Sequence, residues 1–223
     1  MIKGEIPESL YNHKVLFISG IDTNIGKSYA TAHLAQKMQQ GSHSVITEKM
    51  IQTGCEGIAD DIKTHRALQG ISLLPEDVDG TTSPIVLSYP ASPHLAAKID
   101  NQEINLEKVA ESTAILTQRY DTTLLEGAGG IMVPIYENDS PLGSYLTIDY
   151  IAEHNYPLVL VTSGRLGSIN HTLLTIDACR RRGIEVALLI YNRYPATDSL
   201  IEESTLEYLK RLNIPLVELL SQE

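Results

Sequence analysis

VLFISGIDTNIGKS, residues 15–28, runs from an apolar segment through a glycine-bearing loop to Lys27-Ser28. Val15 to Ser19 reads as a short buried strand, Gly20 to Gly26 as a loop, and Tyr29 to Gln40 as a helix that stops at Gly41. Strand, glycine-bearing loop, Lys-Ser and helix, in that order, are the setting of a phosphate-binding loop. Successive backbone N–H groups and a helix N-terminus attract phosphate oxygens. Lys27 adds a full positive charge at the outer phosphates, and the Ser28 hydroxyl stands where it can ligate Mg²⁺. Five residues separate Gly20 from Gly26, one more than the usual pattern. ATPases with a second, signature lysine ahead of the invariant one would need it at position 22, where this chain has Asp22.

The rest of the chain frames that loop. Its 223 residues fit one sizeable domain with a real core, and we expect a single domain over residues 1–223. A net charge of −11 argues against a nucleic-acid backbone or an anionic membrane surface as partner, yet leaves room for a local basic pocket around a nucleotide. There is no tryptophan and a single phenylalanine, so stacking of nucleic-acid bases is not expected. The N-terminal residues carry no apolar segment of signal-peptide type, and no apolar run is long enough to span a bilayer. Cys55 and Cys179 are too few and too far apart for a disulfide framework, which suits reduced thiols and a cytoplasmic location.

Short apolar runs alternate with helical patterns. Strands are expected at 44–50, 122–126, 157–162, 185–191 and 214–220, and helices at 58–69, 106–120, 146–154, 169–182 and 198–212. Residues 71–93 read as loop, with Pro75, Pro84, Pro90 and Pro93 as breakers. The alternation predicts an α/β fold of the P-loop NTPase type, a mostly parallel sheet with helices on both faces. In such sheets ligands bind beyond the carboxyl ends of the strands. The loop 20–28, Lys49, Glu126 and Asn192 all fall at those ends.

Glu126 ends the run TTLLE just before a glycine cluster, the expected place for a Mg²⁺ ligand or water positioner, although a solvated strand-end glutamate has the same pattern. Lys49 ends the second strand, where a cation would neutralise a transferring phosphoryl group, or would simply be solvated. Asp60-Asp61 opens a helix and serves either its dipole or a metal. The histidines, His94 included, show no metal-site spacing, and neither cysteine has a catalytic partner.

Five segments in order, GIDTNIGKS (20–28), KMIQTG (49–54), SPH (92–94), EGAGGIMVP (126–134) and GRLGSINH (164–171), resemble the dethiobiotin synthetase family. The likeness runs from about residue 15 to 218, and the extra loop residue is part of the family pattern G-x-D-T-x-x-G-K-[ST]. The resemblance implies ring closure on 7,8-diaminopelargonate with CO₂ (or bicarbonate), ATP and Mg²⁺. One amine forms a carbamate, the carbamate attacks the γ-phosphate, and the second amine closes the ureido ring and expels phosphate.

Carried over by position, the resemblance places Asp22, Thr23, Asn24, Ile25, Gly26, Lys27, Ser28 and Tyr29 around the nucleotide, with Glu126, Gly127, Gly129 and Asn192. Thr23, Lys27 and Lys49 would act on the phosphates and carbamate. Ser28, Asp61 and Glu126 would hold Mg²⁺, with Asp61 favoured over Asp60. Thr53, Gly129 and Gly130 would line the diamine, and Asn170 would reach the substrate carboxylate of a neighbouring subunit, which implies a homodimer. Asn192 matches the family's base-contacting asparagine. The chain departs from the family pattern at Met50, usually proline, at Ile131, usually bulkier or aromatic, and after Leu220, where the family continues beside the base while this sequence stops at Glu223. Met50 and the short base region motivate one alternative, a repurposed paralogue; the other is a P-loop ATPase switch of similar fold, which would need the lysine that Asp22 replaces.

Overall fold

The computed structural model describes residues 1–39, 42–196 and 198–220. The chain opens with β1 (Ile2–Lys3) and a 3-10 turn at Glu8–Asn12, then β2 (Val15–Gly20), the glycine loop and α1 (Lys27–Met38). β3 (Val45–Lys49) and β4 (Gln52–Thr53) lead to α2 (Asp60–Gln69), α3 (Pro75–Val78), β5 (Val86–Leu87) and α4 (Pro93–Ile99). α5 (Leu106–Arg119) precedes β6 (Thr122–Gly130), which is followed by a hairpin of β7 (Pro134–Glu137) and β8 (Ser144–Leu146). Then come α6 (Thr147–Glu153), β9 (Leu158–Ser163), α7 (Ser168–Arg181), β10 (Val186–Asn192), α8 (Ser199–Lys210) and β11 (Leu216–Leu219).

Seven strands form the central sheet in the order β1-β11-β10-β9-β2-β6-β3, all parallel except β1 against β11. Strand alternation builds two cores, because successive side chains point to opposite faces. Leu16, Ile18, Leu124, Val159 and Val161 pack with Leu34 and Met38 of α1. Phe17, Leu125, Leu158 and Leu160 pack on the other face with Val109 of α5, Ile151 of α6 and Ile176 of α7. The mostly parallel sheet with helices on both faces is therefore as expected. β1 pairs Ile2 with Leu219, and the Met1 amine donates to Leu220 O at 3.1 Å.

The same alternation sorts three consecutive residues of β3. Thr47 meets His65 and Arg66 of α2. Lys49 turns to the same side, toward Asp61 of α2. Glu48 between them points the opposite way and is wholly buried, its Oε2 accepting from Thr113 Oγ1 of α5 at 2.8 Å. Burial pushes the Glu48 carboxyl up to about 8, with the Thr113 bond working against that rise.

Several boundaries differ from the sequence reading. Helix α1 begins at Lys27, two residues early, because Gly26 at φ 92° turns the chain into it; the expected end at Gln40 and Gly41 lies outside the described residues. β6 continues past Glu126 through the glycines to Gly130, which pairs with Gly20. Two expected breakers are helix starters: Pro75 and Pro93 open α3 and α4 at the first helical position, where a missing N–H costs nothing. The strand β1 and the hairpin β7–β8 are additions to the sequence reading.

Candidate active site

A cleft of about 880 Å³ opens beyond the carboxyl ends of the parallel strands. The loop between β2 and α1 forms its floor. Asn24 and Gly26 take left-handed backbone, φ 56° and 92°. A Cβ on Gly26 would lie 2.4 Å from Asn192 Nδ2, so Gly26 has both a conformational and a steric reason to be glycine. Asn192 Nδ2 donates to Ile25 O at 2.9 Å, and its Oδ1 accepts from Tyr194 N at 3.0 Å. That one amide fastens the loop to the end of β10. Ile25 itself turns into the core against Gly20.

The polar heart of the cleft is Glu126. Its register partner across the β3–β6 ladder is Lys49, whose Nζ lies 2.9 Å from Glu126 Oε1. Ser28 Oγ donates to the same oxygen at 3.0 Å. Glu126 Oε2 accepts from Thr31 Oγ1 at 2.6 Å and sits 3.0 Å from His65 Nε2. Burial opposes ionisation of Glu126, but Lys49 and the donors around the carboxylate prevail and hold it well below the usual carboxylate range. Lys49 is buried as well, and Glu126 and Asp61 together overcome that penalty and raise its ammonium above the ordinary lysine value. Asp61 Oδ2 lies 2.5 Å from Lys49 Nζ.

Lys27 is different. It is buried, donates only a long bond to Asp22 O at 3.4 Å, and has no carboxylate partner among the described residues. Burial and the nearby Lys49 charge both lower its pKa. Two cations and the helix N-terminus thus face one cavity, an arrangement that attracts anionic oxygen.

The cleft gathers Thr23, Asn24, Gly26, Lys27, Ser28 and Tyr29 of the loop and helix start. It also takes in Lys49, Thr53, Asp61, Glu126, Gly129 and Asn192. Asp61 is in the cluster, while Asp60 points away and pairs with Lys63. Asp22 lies outside the lining: its carboxylate binds Arg165 and Thr23 N, with Arg165 the larger cause of its lowered pKa. Gly127 gives its carbonyl to Lys49 Nζ at 3.2 Å, and a Cβ there would strike Phe17. Gly130 packs on Gly20 O. Asn170 is exposed on α7, outside this cleft. His94 is the second residue of α4, and its Nδ1 is buried without a hydrogen-bond partner among the described residues.

Sequence reasoning missed Thr31, Thr47, Gln52 and His65. Gln52 Oε1 accepts from Asp61 N at 3.2 Å and so ties β4 to the start of α2. Two of the missed residues carried a spacing signal. Thr31 follows Ser28 by three residues and His65 follows Asp61 by four, which places each pair on one helix face. Met50, at the family's proline position, donates its N–H to Glu126 O at 2.9 Å and buries its side chain in the core.

Lys49 links the carboxylates of Asp61 and Glu126, Ser28 joins at Glu126 Oε1, and these oxygens form a hard donor set of the kind Mg²⁺ prefers. Among the described residues no group of three or more His, Cys, Asp and Glu side chains is gathered for a metal. An ion here would therefore complete its shell with phosphate oxygens and water, as Mg²⁺ commonly does.

A family model described as "AAA domain" matches residues 14–222. The chain is 52% identical, over 89% of its length and 90% of the relative's, to ATP-dependent dethiobiotin synthetase BioD 2 of Pasteurella multocida (strain Pm70). It is 55% identical, over 84% of its length and 95% of the relative's, to the protein of that name from Haemophilus influenzae (strain ATCC 51907 / DSM 11121 / KW20 / Rd). Among solved structures, a ParA family ATPase from Chlorobium tepidum TLS superposes with a TM-score of 0.55 at 18% identity, covering 94% of this chain and 85% of that one. That likeness speaks for the P-loop NTPase-like fold alone. With relatives this similar along nearly its whole length, the chain belongs to the ATP-dependent dethiobiotin synthetase family.

Proposed function

We propose that this protein uses ATP and Mg²⁺ to close a ureido ring on 7,8-diaminopelargonate with CO₂, yielding dethiobiotin, ADP and phosphate. The observation that carries the reading is the pair of buried lysines at one strand-end cleft, Lys49 held between Asp61 and Glu126 and Lys27 without a carboxylate in ion-pair contact among the described residues.

The reaction must bring an anionic carbamate against an anionic γ-phosphate. The loop amides and the N-terminus of α1 would cradle the phosphates, and Lys27 would meet the outer ones. Mg²⁺, held by Ser28, Asp61 and Glu126, would supply further positive charge to the phosphate oxygens. Lys49 would then turn from Asp61 and Glu126 toward the carbamate and the transferring group. Thr23 would contact the phosphates and carbamate, and Thr53, Gly129 and Gly130 would position the diamine, so that the second amine reaches the activated carbonyl within one molecule. Gly26 and Asn192, with Tyr29, would form the nucleotide end.

The same reading has a single domain acting as a homodimer in the cytoplasm, with Asn170 of one protomer completing its neighbour's site. Its exposure outside the cleft of its own chain supports that arrangement. No helix among the described residues is long and apolar enough to cross a membrane.

Phosphate release with Mg-ATP and bicarbonate, with and without the diamine, tests the proposal when the product is identified by mass. Diamine-stimulated release with dethiobiotin is expected. Release that ignores the diamine, or none at all, overturns it in favour of a switch or a repurposed relative.

A further inference from the structure

The four donors on Glu126 divide into two kinds. Oε1 is held by Ser28 and Lys49, which both line the cleft. Oε2 is held by Thr31 and His65, which are fully buried and lie outside the cleft lining. Behind His65 runs a chain of buried groups. His65 Nδ1 lies 3.0 Å from Thr47 Oγ1, and Arg66 Nη1 donates to that same hydroxyl at 2.8 Å. Arg66 is fixed in turn by Asp77, which accepts from Nε at 2.8 Å and from Nη2 at 2.9 Å. Thr82 Oγ1 and Leu74 N hold Asp77.

Proton counting gives this chain a direction. A hydroxyl owns one proton. Thr47 Oγ1 accepts from Arg66, and His65 Nδ1 is the one acceptor within reach of the Thr47 proton among the described residues. The carboxylate of Glu126 only accepts, so the 3.0 Å contact has a proton on His65 Nε2, facing Glu126.

We propose that His65 is a positioning residue, set in its Nε2–H tautomer by Thr47 and Arg66. With Thr31 it locks Glu126 Oε2, so that Glu126 offers only Oε1 to a ligand in the cleft. Binding of the metal–nucleotide then requires only that Ser28 and Lys49 shift on Oε1, while the carboxylate plane stays fixed. Outer partners of metal ligands act in this way, by fixing ligand direction. The inference rests on the functional reading above for the identity of the ligand, and its test needs no turnover.

The experiment measures binding of a non-hydrolysable ATP analogue, with and without Mg²⁺, to the full chain carrying His65→Phe or His65→Gln. Loss of the Nε2 donor is expected to shrink the Mg²⁺-dependent gain in affinity by about 10-fold in His65→Phe. His65→Gln, whose amide nitrogen can take the place of Nε2, is expected to restore most of it. Nitrogen-15 histidine NMR of the wild type is expected to show the Nε2–H tautomer for His65, and Thr47→Val to abolish that preference.

A Mg²⁺ gain that is unchanged in His65→Phe while its thermal midpoint falls means a purely structural role and overturns the proposal. A wild-type ring whose Nε2 carries no proton overturns it as well. Should His65→Phe fail to fold, the wild-type tautomer and the His65→Gln and Thr47→Val proteins decide. A wild type that binds Mg²⁺ and nucleotide but makes no dethiobiotin counts against the functional reading alone.

Discussion

Lys49, the last residue of β3, and Glu126 of β6 are register partners, and their charged groups meet at 2.9 Å with both side chains almost wholly out of water. Removing one partner of a buried pair leaves the other uncompensated, at a cost of about 3–5 kcal/mol. Lys49→Met is therefore expected to lose both turnover and stability. Adding Glu126→Gln should return much of the stability and none of the activity. Urea denaturation of the single and double variants at pH 7 checks this; an additive double variant would count against the pairing.

Lys27 gives the opposite pattern. Its cation is disfavoured by burial and by Lys49, and the charges of Glu126, Asp61 and Asp22 offset that only in part. Lys27→Met is expected to keep or raise the thermal midpoint while kcat falls by about 10²–10³-fold, the usual loss when one preorganised charge partner is removed. A folded Lys27→Met enzyme with near-normal kcat would remove the lysine from the mechanism.

Glu48 ties stability to pH. The unfolded carboxyl releases its proton near the ordinary value of 4.5, and the folded one near about 8. Between those limits the folded chain holds the extra proton. Its contribution is complete below the unfolded value and fades as pH rises to the folded one, at up to about 1.4 kcal/mol per pH unit. Glu48→Gln cannot ionise, so its advantage over the wild type should grow from pH 5 to pH 8 and then level off. Denaturation curves at pH 5, 6, 7, 8 and 9 read this directly.

Gly26→Ala places a methyl 2.4 Å from Asn192 Nδ2 on a backbone of φ 92°. Strained backbone of this kind costs about 1–3 kcal/mol, and the clash strikes the bond that holds Ile25 O. Nucleotide affinity, measured by calorimetry, is expected to fall more than stability does. Asn192→Ala added to Gly26→Ala should relieve the clash and leave the loop unfastened, so affinity stays low while the midpoint partly recovers.

Asp60 and Asp61 are neighbours with separate fates. Asp61 meets Lys49, and Asp60 meets the exposed Lys63. Asp61→Asn should shift Mg²⁺-dependent nucleotide binding to higher Mg²⁺, and Asp60→Asn should leave it in place. Titration with Mg²⁺, followed by chelation to reverse it, separates the two.

Lys27, Ser28, Lys49 and Glu126 were legible because Lys27 and Ser28 open a helix after a glycine, Lys49 closes an apolar run and Glu126 precedes a glycine cluster, all toward the side where a parallel sheet gathers ligands. His65 and Thr47 were not. Their meeting depends on α2 docking against the alternate residues of β3, a long-range event that no local pattern carries. The Asp61–His65 spacing alone could equally mark an ordinary helix face. Pro75 and Pro93 misled for a different reason: a proline that ends one segment is also well suited to open the next helix. Short pairings such as β1 with β11 leave too little pattern to read, since their stability comes from a partner far along the chain.

The first residues of the chain pair with the strand whose end, Leu219-Leu220, borders the cleft. Met1 carries an amine whose pKa burial lowers, so more of it is unprotonated and reactive at neutral pH than an ordinary chain terminus offers. A dye coupled there under mild conditions would sit at the mouth of the site and report nucleotide occupancy by its emission. A bulky fusion at the same end would hinder that occupancy.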